Sequence, residues 1–151
     1  MSTQTLSRNS EVVKQWHSEY AKVDGMIREI RRWIRESSQY GTPCLRQLAI
    51  QLRDFSAPLL THFQYGDELY ESLRLDRWCV EVESAQRQAA ADHQHLLARL
   101  DAYVSQWEAV TLSPASFEQA QDQLEWFFDE LDQLEERESD SFEWLLQTDC
   151  S

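Results

Sequence analysis

The chain has 151 residues, 27 Asp and Glu against 14 Lys and Arg, a formal net charge of -13 and a hydrophobic fraction of 42% that includes six tryptophans. This length suits one domain with its own core, and three glycines with three prolines supply too few turns for a many-stranded sandwich or a glycine-loop nucleotide fold. So acidic a chain is a poor match for phosphate backbones, and no apolar run approaches the ~20 residues of a membrane span.

Residues 1–10 are polar, unlike a secretory signal, and are expected to be a flexible tail ahead of a single domain over 11–151. The periodicity then predicts helices over roughly 11–38, 43–74, 80–109 and 114–147. The first carries Val13, Trp16, Tyr20, Val23, Ile27, Ile30 and Ile34 at alternating steps of three and four. Gly41-Thr42-Pro43 supplies a stop, a cap and a proline at the next helix start, and Ser113-Pro114 repeats the cap and proline. The second helix runs from Leu45 through Phe55 to Leu73 and should be kinked or loosened at Pro58. A weaker break falls around Leu75 to Cys79, before a third stripe from Val82 to Trp107. The fourth stripe runs Phe117, Ala120, Leu124, Phe127, Leu131, Leu134, Glu138, Ser141, Leu145. Four amphipathic helices with short connections point to an all-α, up-down-up-down antiparallel four-helix bundle.

The charge is uneven. Residues 113–151 hold twelve acids and one base, Arg137, for a net of -11, leaving -2 for the first 112 residues. Arg28, Arg31, Arg32 and Arg35 share a face of the first helix and should neighbour Glu118, Asp122 and Glu125 of the fourth, an internal match preferred over an external anion site. The odd set Cys44, Cys79 and Cys150 lacks CxxC or finger spacing and reads as three reduced thiols in a cytoplasmic protein.

The seams break their own apolar rule at His62, Gly66, His93, Glu138 and Ser141. A buried ionisable group must be paired, hydrogen-bonded or metal-bound to be tolerated. Turns centred near Gly41 and near residues 77–78 put Tyr20, His62 and His93 at one height. A third turn near residues 111–112 puts residue 130 opposite His93, so only an asymmetric connection would bring Glu138 there. His17 and His95 fall off the seams and read as surface or boundary residues.

Four short stretches, in order and spacing, resemble the hemerythrin-like HHE cation-binding family. They are Glu19-Tyr20 with Val23 and Ile27, His62-Phe63-Gln64-Tyr65-Gly66-Asp67, Asp92-His93-Gln94-His95-Leu96-Leu97, and Leu134 to Ser141. The resemblance spans residues 12–149 and implies a four-helix bundle holding iron, commonly a pair, through His and carboxylate ligands. His62 and His93 match ligand positions. Tyr20 replaces a histidine, Gly66 a bridging glutamate, Arg137 a histidine and Ser141 a later glutamate. Several carboxylates are needed to neutralise and bridge two cations, so the expectation is a degenerate site.

Two readings of the histidines follow. In one they are buried neutral imidazoles, hydrogen-bonded to each other, to Tyr20 or to water. In the other, His62, His93, Tyr20 and Glu138 hold one iron or zinc ion. Arg137 beside Glu138 reads as a solvated charge pair, or as a guanidinium standing in for the lost cations. With no nucleophile–base motif or phosphate loop, the expected function is a non-enzymatic binding or interaction module with no cofactor. The alternative is a mononuclear iron or zinc protein for storage, sensing or redox work. A protein partner or a homo-oligomer is left open; nucleic acid and membrane are not expected.

Overall fold

The computed structural model describes the backbone of residues 3–40, 44–109 and 114–147. These form four helices, α1 (Thr3–Tyr40), α2 (Leu45–Asp76), α3 (Val80–Ala109) and α4 (Pro114–Gln147), with no strand among the described residues. The all-α four-helix bundle expected from periodicity is therefore present. None of these helices is long and apolar enough to cross a membrane.

Local chemistry sets the ends. Helical backbone in α1 begins at Thr3, and Val13 is the first buried residue among those whose side chains are described. The predicted Thr42–Pro43 start and the Ser113 cap lie outside the described residues. α2 begins behind Cys44, an extended residue with no side-chain cap. It ends where the Arg77 N–H donates to the Leu73 carbonyl at 3.0 Å. Glu81 and Glu83 in the first turn of α3 face the positive end of its dipole, and Pro114 fills the first position of α4, where a missing N–H costs nothing. Pro58 is accommodated inside α2. Cys44 is a free thiol but Cys79 is disulfide-bonded. That corrects the expectation of three reduced thiols and removes their argument for a reducing compartment; Cys150 lies outside the described residues.

Neighbouring helices touch with residue numbers running in opposite senses. Between α1 and α4, Ser139 and His17 hydrogen-bond at 3.1 Å, Tyr20 reaches Asp132, and Arg31 reaches Glu125. Between α2 and α3, Gln86 donates to Glu71 and Arg53 pairs with Glu108. Between α3 and α4, Arg99 pairs with Glu130 and Arg137 with Asp92. The arginine stripe is used as expected at Arg31, whose guanidinium grips both Glu125 oxygens and lies 5.2 Å above the Phe128 ring. Arg28 instead folds back onto Asp24 of its own helix.

The apolar core is in two parts. The larger, from Val23 and Leu45 through Phe55, Leu100 and Phe128 to Leu134, fills the end near the α1–α2 connection. The smaller, with Val13, Trp16, Leu69, Tyr70, Val82, Phe142 and Leu145, fills the end near the α2–α3 connection. Phe128, fully buried, meets Phe55 edge-on in the larger part. Phe128→Ala should therefore cost ~3–5 kcal/mol of stability by urea denaturation, with helical content retained.

Candidate functional site

Between the two apolar clusters lies a layer of buried polar residues, His62 on α2, His93 on α3, and Glu135 and Glu138 on α4. The α4 track explains it. Phe128, Leu131, Glu135, Glu138, Phe142 and Leu145 step by threes and fours and are all buried. The fourth stripe read from sequence stayed on Leu134 and Ser141 and so missed Glu135. The signal was there in the parallel run from Phe128 to Phe142.

Each histidine is held by a carboxylate from α4. His62 Nε2 lies 2.9 Å from both oxygens of Glu135. His93 Nε2 lies 2.5 Å from Glu138 Oε1, and its Nδ1 lies 2.9 Å from Asp67 Oδ1 on α2. Both His93 nitrogens thus face acceptors, which calls for a proton on each and an imidazolium in the core. Burial opposes that charge, but the hydrogen bonds to Asp67 and Glu138 outweigh it and push the His93 pKa up to about 9. Burial, only partly offset by His62, pushes the Glu135 carboxyl above its ordinary range.

Aromatic rings wall the layer. Trp16 stacks on His62 with ring centroids 5.3 Å apart, and Phe63 stacks on His93 at 4.2 Å. Gly66 makes room for the Trp16 indole, since a Cβ there would come within 3.1 Å of Trp16 Nε1 and 3.5 Å of Glu138 Oε2. Among the described residues, Trp16 Nε1 and His62 Nδ1 are buried with no hydrogen-bond partner.

The four residues singled out as ligands therefore part company. His62, His93 and Glu138 do share the layer, but the carboxylate on His62 is Glu135. Tyr20 packs beside the His62 ring at 5.2 Å while its hydroxyl donates to Asp132 Oδ1 at 2.6 Å, toward the outside of the layer. Burial, then Asp132, pushes that phenol far above its ordinary range, so it acts as a donor. Among the described residues no group of three or more His, Cys, Asp or Glu side chains converges as a cation site. Arg137 is 63% exposed and reaches Asp92 at 3.9 Å, so it forms a solvated pair, with Asp92 and not Glu138 as its partner; it does not stand among the buried acids. Glu138 does face His93, with Glu130 further along against Arg99, so the α3–α4 register is offset as an asymmetric third connection requires. His95 is exposed, and so is His17, whose Nε2 meets Ser139. Comparison with models of protein families, with curated proteins and with solved structures returns no match.

Two outcomes follow from this geometry. Because the folded pKa of His93 is raised, its contribution is complete below about pH 6.5 and is lost as pH climbs through about 9. The wild type should lose stability over that window, a slope absent in His93→Gln, and the His93 ring resonances in NMR should titrate near the upper limit. Glu135→Ala strips His62 of its partner and should cost ~3–5 kcal/mol. Replacing both His62 and Glu135 with leucine should recover most of that loss in the same denaturation assay.

Proposed function

We propose that the chain is a hemerythrin-like, up-down-up-down bundle whose cation site is degenerate, and that it acts as a non-enzymatic binding or interaction module. The opposed senses of neighbouring helices and the order of the four sequence stretches support the architecture. The observation that carries the functional reading is that the Nε2 atoms of His62 and His93 are each held by a buried carboxylate of α4.

The residues do not fit a pair of irons. Gly66 brings no carboxylate and its space adjoins Trp16 Nε1, Arg137 lies outside the layer, and Ser141 has no charge to offer. Here protons do the work of cations. Each proton sits between an imidazole nitrogen and a carboxylate oxygen and ties α2 or α3 to α4, which is what a bound ion would otherwise do. Such pairs contribute less to net stability than to fixing which helix faces which.

A second reading, one iron or zinc ion, rests on His62 Nδ1, a buried nitrogen with no hydrogen-bond partner. Such an ion would leave His62 Nε2 on Glu135 but would take one His93 nitrogen from Asp67 or Glu138, and Tyr20 away from Asp132.

Elemental analysis of protein purified from metal-replete medium separates the two. Metal well below stoichiometric, with melting unchanged by chelator, is the expected result. One iron or zinc per chain that disappears in His62→Ala would establish the second reading and end the first.

A further inference from the structure

On the far side of Glu138 the polar layer opens outward between α3 and α4. A cleft of about 150 Å³ lies there, walled by Ala85, Ala89, Leu134 and the Tyr70 ring, with Asp92, Arg137 and Ser141 also bordering it. It exists because the two helices meet poorly at this level. α3 offers alanines, and α4 offers Glu138 and Ser141 where an apolar knob would otherwise enter. A hollow of about 270 Å³ continues past Asp92 and Arg137 toward His95 and Glu130, so the cleft is approachable along the α3–α4 groove.

Its chemistry is specific. The walls are apolar and the charged floor, Glu138, is 4% exposed. His93 holds Glu138 Oε1, and Oε2 remains a second acceptor on the same carboxylate. Two acids, Glu138 and Asp92, border the cleft; Asp92 is paired with the 63% exposed Arg137, and Glu138 meets the His93 imidazolium through Oε1. The net charge of -13 adds a field that concentrates cations at the surface. A cavity of this volume suits a molecule of ~6 heavy atoms.

We propose that this cleft binds a short aliphatic primary amine in its ammonium form, with the head on Glu138 and the chain against Ala85, Ala89 and Leu134. The buried carboxylate supplies the partner that a desolvated ammonium requires, and the alanine wall receives the methylenes. The Tyr70 hydroxyl, whose pKa is raised by burial, stays a neutral phenol beside it. The inference goes beyond the proposed function and rests on it in one respect, that Glu138 holds no metal ion.

The test is calorimetric and NMR titration of the full chain with n-butylammonium chloride, against 1-butanol and sodium butyrate as shape-matched controls. Butylammonium should saturate with amide shifts centred on Ala85, Ala89 and Glu138, and should bind roughly tenfold tighter than butanol, as a charge-assisted contact predicts. Ala85→Leu on the half-buried wall of α3, and separately Ser141→Leu from α4, should each fill the cleft and lower affinity by about tenfold with melting and helicity preserved. Absence of saturation, butanol or butyrate within about threefold of the amine, or unchanged binding in a filled variant that remains folded, would each overturn the proposal. Metal content, measured on the same samples, separates the two readings: metal-free protein that fails to bind the amine overturns this proposal and leaves the degenerate-site reading standing.

Discussion

Four ionisable side chains buried at one level have to satisfy one another, and the arrangement of the bundle follows from how they do so. Glu135 and Glu138 are a helical step of three apart, so both project from one side of α4. One reaches across to α2 and the other to α3. A carboxylate left alone there would carry a desolvation cost of several kcal/mol. The two pairings thus act as a lock on relative height. Sliding α4 by one turn would break both at once, leaving buried charges uncompensated. Apolar packing alone discriminates less sharply between registers, because one leucine resembles another.

The pairs differ in kind. His93 is held from two sides, by α2 through Asp67 and by α4 through Glu138, and stacks on Phe63. It is a charged junction of three helices. His62 meets both oxygens of one carboxylate and has an indole over its ring, with its remaining nitrogen unengaged. Gly66 permits this asymmetry, since any larger residue would press on Trp16. Gly66 leaves α2 without a side chain at this level, and that space is what admits the Trp16 ring from α1.

Much of this was legible beforehand. Helix number, the break before Cys79 and the polar interruptions at His62, His93 and Glu138 all follow from spacing, because a period of 3.6 leaves little freedom for which face turns inward. Glu135 is not singled out by periodicity because two adjacent tracks, through Leu134 and through Glu135, both satisfy that period, and the track through Leu134 is the more apolar at that step. Both are buried. Arg137 was harder still. Its neighbours in sequence are acids, but its partner, Asp92, belongs to another helix. Partner choice across helices depends on register, and register depends on connections whose length does not reveal their geometry. The cysteines show the same limit, since pairing is a matter of distance in space that spacing along the chain does not encode.

The division of the apolar interior has a consequence for cooperativity. Two clusters on either side of a hydrophilic layer are two potential folding units, joined by electrostatic contacts and by the continuity of four helices. Such units can open separately when the link between them weakens, with the smaller one giving way first. At neutral pH the imidazolium of His93 holds that link in place. Weakening it, in alkaline solution or by removing either glutamate, favours opening of the end bearing the α2–α3 connection ahead of the far end. The layer is thus a seam along which part of the bundle can open without losing the whole.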